Sequence, residues 1–446
     1  MKPGRPDAVQ GAPKAPRVCI VVLNWNGWKD TIECLESLYR LDYPDYFVVI
    51  VDNGSTDGSV EQIRKWACNQ LPLDTRLVPD ALKHLVTPPC DKPIPVEVVE
   101  QGDRTHIPPG LQDQSELAII ESGRNLGYAG GNNLGIRYAL QQQADYVWIL
   151  NNDTVAESSA LRLLVGRFQQ GGDVGLVGAT IRDYWAPHSV QCLGGARFDS
   201  TTARETRIGI GEADPAVDIV TVEHQLSYIS GACVLVSRQF LEKVGPMNED
   251  YFLFYEELDW ALRARMWFGL GLAAGAWVYH KEGAKSGARV APGRYRSPVA
   301  EYWLTRSLVL LCRRYFRGSM PIILVARMRD SLYYARRGKL PNMLAIARGF
   351  VAGARARLRI ASLHVLYLMY IPWSWIQARP QFLAMALARL GLDVTVVSPV
   401  PWRRSMVVGG ASFGGTTVHY RFLPFRFKSR VAYALNRCVL RHAFAR

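Results

Sequence analysis

The fold is predicted first from residues 18–59, VCIVVLNWNGWKDTIECLESLYRLDYPDYFVVIVDNGSTDGS. This stretch begins with an apolar run typical of a buried strand at 18–24, continues with helical spacing at 31–39, and reaches a second apolar run at 47–52. This second run ends in a carboxylate and a Gly/Ser turn. Strand–helix–strand alternation predicts an α/β fold, with a mostly parallel mixed sheet flanked by helices.

The same alternation resumes later in the chain. A Pro-rich, weakly periodic stretch at 71–115 favours a long loop or insertion. After it, 116–120 predicts a strand, about 129–142 a helix, and 146–150 a further strand. In such sheets ligands bind at the carboxyl ends of the strands. The polar clusters at these ends are therefore the candidate site.

Net charge divides the chain into dissimilar parts. The whole chain carries +14, made up of +2 in residues 1–16, −9 in 17–300 and +21 in 301–446. An acidic front and a basic rear suggest two tasks, and they disfavour a uniformly basic nucleic-acid binder. The eight cysteines show neither CxxC nor Cys/His ligand spacing, which argues against structural zinc and a disulfide framework.

Two features of the sequence set expectations about the location of the protein. Residues 1–16 lack the apolar core of a signal peptide and predict a disordered tail. No run reaches the ~18 apolar residues that a membrane-spanning helix needs. We therefore expect a cytoplasmic protein.

Four polar clusters match the needs of sugar transfer from a nucleoside diphosphate. Such a reaction requires a cation to absorb the charge of the diphosphate, and a carboxylate base to take the proton of the attacking hydroxyl. An N-N-D sequence resembles an Asp-x-Asp metal motif in which Asn replaces the first Asp, and amide oxygens also bind hard cations. The candidates are Asp52 with Asn53, Asn151 to Asp153, Glu256 to Asp259, and His280.

Each cluster also has a purely structural interpretation. DNGS is a common turn, and N-N-D can cap the helix predicted at 158–169. Glu257 and Asp259 suit the start of a helix, and Asp259 can pair with Arg263 one turn later. A lone histidine is more often structural than a ligand. The order of the clusters and their strand-end positions favour the enzymatic interpretation.

With these residues in view, residues 17–300 resemble a family-2 glycosyltransferase of the GT-A fold, close in pattern to bacterial rhamnosyltransferases. The resemblance rests on six motifs in one order. They are VVLNWNGWKDTIECLESL (21–38), VIVDNGSTDGS (49–59), GRNLGYAGGNNLGI (123–136), WILNNDT (148–154), YISGACVLVSRQFLEKVG (228–245) and FLFYEELDWALRAR (252–265).

The resemblance implies roles for individual residues. It implies Glu257 as the general base. Because Glu257 replaces the family's usual Asp, it also implies Asp259 as a second residue that shares this role. It implies a divalent cation, Mg²⁺ or Mn²⁺, on Asp153 and His280, with Asn151 standing where many members have Asp. The donor-binding residues it implies are Asp52, Asn53, Asn125, Gly127, Gly130, Asn132, Asn152 and Asp153. Gly130 and Gly131 are expected to let the backbone approach the donor.

The implied function is an inverting, metal-dependent transfer of a sugar to a saccharide or lipid-linked acceptor in cell-surface polysaccharide synthesis. Rhamnose from dTDP-rhamnose is the first expectation, with UDP-galactofuranose or a UDP-hexose as the alternative donor. A nucleotide-sugar pyrophosphorylase would need a Gly-rich basic loop after the first strand, which 23–30 does not supply. A non-catalytic sugar-nucleotide scaffold stays open, although Asp153, Glu257 and His280 argue against it.

The basic rear divides at about residue 361. Residues 301–361 predict Arg-rich amphipathic helices, which suit an anionic membrane surface, so we expect the protein on the inner face of the plasma membrane. Residues 362–446 predict a partial Rossmann-like βαβ unit and resemble the start of a GT-B glycosyltransferase, through 371–399 above all. This part is too short for that fold. Truncation of a two-enzyme chain and a packing remnant are both open interpretations.

Overall fold

A computed structural model divides the chain into two compact units, residues 1–358 and 359–446. The structure describes residues 15–100, 117–213, 217–282 and 295–356, together with four strands of the second unit. The predicted catalytic domain and nearly all of the predicted helical extension fall in the first unit.

Thirteen strands lie among the described residues of the first unit. They are β1 (Val18–Asn24), β2 (Tyr46–Asp52), β3 (Val96–Glu100), β4 (Leu117–Glu121), β5 (Tyr146–Asn151), β6 (Thr154–Ala156), β7 (Val174–Asp183), β8 (Val190–Leu193), β9 (Gly195–Asp199), β10 (Arg204–Arg207), β11 (Tyr228–Ile229), β12 (Cys233–Ser237) and β13 (Gly269–His280). The main sheet has the order β3-β4-β2-β1-β5-β12-β7-β13-β6, with β8 paired to β7. A smaller sheet has the order β10-β9-β11.

The main sheet is mostly parallel. Strands β3, β4, β2, β1 and β5 pair in parallel, whereas β12 runs antiparallel between β5 and β7. Strand β13 is parallel to β7 and antiparallel to β6. The predicted α/β fold with a mixed, mostly parallel sheet is therefore confirmed.

Ten helices lie among the described residues of the first unit. They are α1 (Trp28–Leu38), α2 (Ser59–Ala67), α3 (Gly127–Gln141), α4 (Ala160–Gln169), α5 (Ile219–Gln225), α6 (Arg238–Val244), α7 (Glu256–Ala264), α8 (Pro298–Tyr315), α9 (Met320–Arg336) and α10 (Leu340–Arg355). Helices α1, α2 and α4 pack on one face of the sheet, and α3, α6 and α7 on the other. Alternate residues of β1 enter the two cores, because successive strand side chains point to opposite faces.

The segment predicted as a loop or insertion at 71–115 contains ordered structure. It forms two short 3₁₀ turns at 75–77 and 80–85 and then strand β3, while 101–116 lie outside the described residues. The buried Glu36 carboxylate anchors the segment. It accepts hydrogen bonds from Lys92 Nζ at 2.7 Å, Cys90 N at 2.7 Å and Trp66 Nε1 at 2.8 Å.

The basic helix α8 packs against the catalytic region instead of standing apart from it. Ser297 caps its first turn, with Pro298 at the first helical position. Arg306 Nη1 donates to the carbonyl of Asp250 at 2.8 Å, and Ser307 Oγ donates to that of Leu253 at 2.9 Å. Among the described residues, no helix combines the length and apolarity needed to cross a membrane.

The second unit contains four described strands, β14 (His364–Leu368), β15 (Asp393–Pro399), β16 (Gly409–Phe413) and β17 (Thr416–Leu423). Strands β14 and β15 pair in parallel, β15 pairs in parallel with β17, and β16 is antiparallel to β17. Parallel neighbours require a crossover connection. The helix predicted for that crossover lies outside the described residues, so the βαβ unit and the GT-B resemblance stay predictions.

Candidate active site

The polar ends of the first two strands lie side by side. Asn24 and Asp52 are paired in register, and Asn24 Nδ2 donates to Asp52 Oδ1 at 2.8 Å. The other oxygen of Asp52 accepts from Ser55 N at 3.0 Å, which closes the predicted turn. Thr31 Oγ1 donates to Asn24 Oδ1 at 2.9 Å. These bonds fix the carboxylate that the resemblance assigns to the nucleoside.

Asn53 joins this turn to the start of α3. Its Oδ1 accepts from Leu126 N at 2.9 Å, and its Nδ2 donates to Asn125 Oδ1 at 3.2 Å and to the Gly127 carbonyl at 3.1 Å. Gly127 has φ +75°, and a Cβ there would collide with the carbonyl oxygen of Phe252. The structure thus brings Asn53, Asn125 and Gly127 together in one loop pair, as their shared assignment to the donor requires.

Two residues assigned to the donor have other surroundings. A Cβ at Gly130 would meet the side chain of Leu126, and one at Gly131 would meet Leu23. These glycines therefore allow close packing within the protein, and their assignment to the donor stays a prediction. Asn132 is fully buried, and its Nδ2 donates to the Tyr128 carbonyl at 3.0 Å. Its Oδ1 is buried without a hydrogen-bond partner among the described residues, and its assignment to the donor stays a prediction.

The N-N-D segment divides its side chains between two tasks. Asn152 Nδ2 donates to Thr31 Oγ1 at 3.0 Å and to the Gly27 carbonyl at 3.3 Å, so its amide nitrogen ties the end of β5 to the β1–α1 turn. Asp153 faces His280, with Oδ1 at 3.3 Å from Nε2. Asn151 Nδ2 lies 3.5 Å from the same Nε2. The predicted metal ligands are therefore adjacent.

The electrostatic setting of Asp153 favours a charged carboxylate. Burial would raise the pKa of Asp153, but His280 and then Lys281 outweigh burial and hold that pKa below its usual range. Among the described residues, no group of three or more His, Cys, Asp or Glu side chains is placed to hold a metal ion. A carboxylate beside an imidazole nevertheless fits a cation such as Mn²⁺ or Mg²⁺, which takes its remaining ligands from substrate phosphates and water.

The candidate base lies where a strained turn meets α7. Phe254 and Tyr255, directly before the helix, both have φ +70°. Bulky residues rarely adopt this conformation, which costs about 1–3 kcal/mol per residue and is concentrated at functional sites. Glu257 follows, partly buried, and its carboxylate accepts a hydrogen bond from the backbone N–H of Gly231. Burial raises the pKa of Glu257 to about 7, close to the ideal for a general base near neutral pH.

Glu256 and Asp259 do not share the surroundings of Glu257. Burial, followed by the charge of Glu257, raises the pKa of Glu256 far above its usual range, so this side chain carries a proton. Asp259 is fully buried and accepts from Arg314 Nη1 at 3.0 Å, Tyr315 Oη at 2.9 Å and Arg263 Nε at 3.0 Å. Asp259 therefore joins α7 to α8, and the expectation that it shares the catalytic role is not supported.

The base and the metal pair lie at one edge of the sheet. Gly231, which binds Glu257, precedes Ala232, whose carbonyl accepts from Asn151 N at 3.1 Å. Strand β12 runs antiparallel to β5, so its start lies beside the end of β5. His280 ends β13 in register with Thr154, next to Asp153. This edge offers a nucleophile-activating carboxylate and a cation-binding pair on a common rim.

Several residues of the site escaped sequence reasoning. Asn24 ends an apolar strand as Asp52 does, and that position was the available signal. Gly231 admits the Glu257 carboxylate because a Cβ would collide with Oε1. Tyr128 Oη donates to the Gly231 carbonyl, and Gln191 contacts His280. A lone glycine and a lone glutamine carry no local signal for these contacts.

The mostly parallel sheet with polar side chains at the carboxyl ends of its strands agrees with the GT-A type of α/β fold that the sequence predicted. Residues 19–78 and 98–206 match the model of the family "Glycosyl transferase family 2". These two segments are therefore similar in sequence to the family-2 glycosyltransferases. The predicted family and fold are thus confirmed.

Similar proteins include transferases from archaea and bacteria. A low-salt glycan biosynthesis hexosyltransferase of Haloferax volcanii is 31% identical over 157 residues, which are 34% of this chain and 47% of that protein. The matched part thus spans about half of that relative. A dTDP-rhamnosyl transferase of Shigella flexneri is 24% identical, covering 61% of this chain and 93% of that protein. The solved mannosyltransferase of Pyrobaculum calidifontis with GDP-Man and Mn²⁺ is 17% identical, covers 77% of this chain and 88% of that chain, and has a TM-score of 0.40.

Proposed function

We propose that the protein is an inverting, metal-dependent glycosyltransferase that transfers a sugar from a nucleoside diphosphate to a saccharide or lipid-linked acceptor. The observation that carries the proposal is the shared sheet edge. Gly231 contacts the Glu257 carboxylate, and the next residue, Ala232, accepts a hydrogen bond from Asn151 N. The same edge carries the contact between Asp153 and His280 at 3.3 Å.

Each group at this edge has a defined task. Glu257, with a pKa of about 7, accepts the proton of the acceptor hydroxyl as that oxygen attacks the anomeric carbon. Asp153 and His280 would hold a Mg²⁺ or Mn²⁺ ion, which supplies positive charge to the departing diphosphate. Asp52, Asn53 and Asn125 position the nucleotide. A single in-line displacement inverts the anomeric centre, because the base and the leaving group act on opposite faces of the sugar.

The donor that the proposal favours is dTDP-rhamnose, and the setting it favours is cell-surface polysaccharide synthesis. Support comes from the resemblance to rhamnosyltransferases and from the relative of Shigella flexneri, which covers 61% of this chain. UDP-galactofuranose or a UDP-hexose is the alternative donor. A non-catalytic scaffold is disfavoured because it needs no carboxylate with a pKa of about 7 at the sheet edge.

A donor-hydrolysis screen tests the proposal. Purified full-length protein is incubated with dTDP-, UDP- and GDP-sugars, each with Mn²⁺, with Mg²⁺ or with EDTA, and nucleotide release is measured. We expect release from one donor class, dependent on the cation, and loss of release in Asp153→Asn. Tight donor binding without release from any donor, with or without acceptor sugars, would favour the scaffold. Anomeric configuration of a transferred product, read by NMR, decides inversion.

We further propose an anionic membrane surface as a partner, contacted through α9 and α10. Helix α9 exposes Ile322, Val325, Met328 and Leu332, whose spacing of three or four residues places them on one helix face. Side-chain exposure reaches 67% at Val325. Exposed apolar residues also occur on α10, at Leu340, Leu344 and Val351. Such an apolar strip with arginines beside it is typical of helices lying in a membrane interface.

Basic side chains complement this apolar strip. Arg329 is 70% exposed, and Arg336 and Arg337 are exposed at the end of α9. In contrast, Arg313 donates to the carbonyls of Gly353 and Ala356, so this arginine of α8 has a structural task. The basic membrane surface suggested by the sequence is therefore confined in this proposal to α9 and α10. It supports a location on the inner face of the plasma membrane.

Vesicle sedimentation tests the membrane proposal. We expect binding to vesicles of phosphatidylcholine with 30% phosphatidylglycerol to weaken by roughly 10-fold or more in Arg336→Glu/Arg337→Glu, because each basic residue near the surface contributes about 1 kcal/mol. Val325→Glu/Met328→Glu is expected to abolish binding. Arg64→Glu, on exposed α2 surface, is the matched control and is expected to bind normally. Binding that ignores salt and both double variants would overturn the proposal.

A further inference from the structure

His280 is held on its far side by a single glutamine. Gln191 Oε1 lies 3.1 Å from His280 Nδ1, and Gln191 Nε2 donates to the His280 carbonyl at 2.7 Å. Both residues are buried, with exposures of 6% and 8%. One amide group therefore contacts the ring and the backbone of the same histidine.

The two contacts determine each other's chemistry. A carbonyl oxygen only accepts, so the atom of Gln191 beside the His280 carbonyl must be the NH₂ group. The amide oxygen then faces Nδ1, and because that oxygen also only accepts, Nδ1 must carry the proton. The other ring nitrogen, Nε2, faces Asp153 Oδ1 at 3.3 Å.

The backbone at Gln191 is built irregularly. Strand β8 pairs with β7 through Ile181 and Cys192 and then through Arg182 and Val190, so the register shifts and Gln191 is the extra residue. Such β-bulges re-aim a side chain and are enriched beside active sites. In a regular ladder, the alternation of side chains would give Gln191 a different direction.

We infer that Gln191 is a positioning residue, which keeps a proton on His280 Nδ1 and orients the ring so that Nε2 faces the cation proposed for Asp153. The inference rests on the proposed metal-dependent function for its purpose, but the tautomer can be tested without any metal. Histidine ligands generally donate their second N–H to such a partner, and losing the partner costs about 10- to 100-fold in metal affinity.

Nitrogen NMR of the metal-free, full-length protein tests the tautomer. The eight histidines are labelled with ¹⁵N, and the signal of His280 is assigned by its loss in His280→Asn. We expect a proton on His280 Nδ1 in the unaltered protein and a loss of Nδ1 protonation in Gln191→Leu. A ring without a proton on Nδ1 in the unaltered protein would overturn the inference.

Manganese binding tests the consequence. Mn²⁺ is titrated with saturating dTDP, UDP or GDP, and free Mn²⁺ is followed by electron paramagnetic resonance. We expect about 10- to 100-fold weaker binding in Gln191→Leu, with loss of the imidazole nitrogen coupling. Gln142→Leu, a buried glutamine near the opposite end of β5, is the matched control.

The two experiments separate the inference from the proposed function. Absence of Mn²⁺ binding to the unaltered protein with every nucleotide would refute the metal dependence, while the NMR result would still decide the role of Gln191. Normal Mn²⁺ affinity and normal nitrogen coupling in Gln191→Leu would refute the positioning role.

Discussion

Glu257 and Asp259 are two carboxylates on the first turn of one helix, and the protein treats them in opposite ways. Glu257 accepts backbone hydrogen bonds from its own N–H and from that of Gly231, and burial raises its pKa to about 7. Asp259 accepts from two arginines and a tyrosine and is fully buried. A carboxylate with few partners at an edge can exchange protons, whereas one neutralised by two guanidinium groups holds helices together.

The contrast shows that partner number, and not residue type, separates a reactive group from a structural one. Helix α8 supplies two of the partners of Asp259, Arg314 and Tyr315. The basic helix therefore completes the catalytic domain by engaging Asp259. Variants at and around these two residues distinguish the reactive carboxylate from the structural one.

Asp259→Ala is expected to have the largest effect, on stability. Arg263, with a side chain 17% exposed, would lose its carboxylate, and Arg314, 13% exposed, would keep only Asp250 at 3.2 Å. Removing one partner of a buried ion pair costs roughly 3–5 kcal/mol, so the free energy of unfolding measured in urea should fall by that amount. Asp80→Ala, which removes an exposed partner of Lys83, is the control and should unfold normally. A stable Asp259→Ala variant without turnover would return Asp259 to the catalytic group.

Glu257→Gln is expected to reduce turnover by ~10²-fold or more, the usual contribution of a general base. The amide keeps the size of the side chain but cannot accept the proton, so donor affinity should be unchanged. Turnover and donor affinity are measured separately, by product release and by calorimetry. Glu61→Gln on exposed α2 surface is the control. Turnover near normal in Glu257→Gln would refute its role as base.

The sequence predicted those parts of the site that depend on strand ends. The ends of β1, β2 and β5 meet because parallel neighbours carry their carboxyl ends to one edge, and Asp52 and Asp153 follow such ends. The spacing of apolar residues also predicted α1 and α3 with errors of a few residues at their ends. Local patterns are sufficient where a side chain's place follows from its own element.

Partners that arrive from distant elements could not be predicted. Asp259 receives Arg314 from 55 residues along the chain, and the sequence instead indicated only the local pair with Arg263. The neighbour of a glycine is likewise not visible in the sequence: a Cβ at Gly130 would meet the side chain of Leu126, a contact that no local pattern indicates. Strand β3 was missed because Pro-rich sequence surrounds it and its pairing with β4 is tertiary.

Gly231→Ala is expected to reduce turnover by roughly 10- to 100-fold, the cost of displacing a reacting group by about 1 Å. The added Cβ would collide with Glu257 Oε1 and with Tyr128 Oη, so the carboxylate must move. Gly166→Ala in α4 is the matched control, because open space surrounds its Cβ and alanine favours a helix by about 1 kcal/mol. Unchanged kinetics in Gly231→Ala would mean that the Glu257 carboxylate reacts from another position.

The pH dependence of kcat/KM is expected to reveal the raised pKa of Glu257. A base must be deprotonated to act, so activity should fall about 10-fold per pH unit below a pH of about 7 and level off above it. An unperturbed glutamate would place that limb near pH 4.5. Initial rates are measured between pH 5 and 9 at saturating cation. Activity that stays level from pH 9 down to pH 5 would contradict the burial of the carboxylate.

Glu256→Gln is expected to have the smallest effect, and it shows which of the adjacent glutamates holds the proton. Because Glu256 is protonated in the folded protein, glutamine replaces a neutral side chain with another of the same size. Turnover should change by only a few-fold, and the acidic limb should stay near pH 7. If Glu256 were instead ionised, its replacement would remove a negative neighbour of Glu257 and move the limb to lower pH. A shift of the acidic limb to lower pH would show that the two glutamates share the proton. It would contradict the assignment of Glu257 as the sole titrating base.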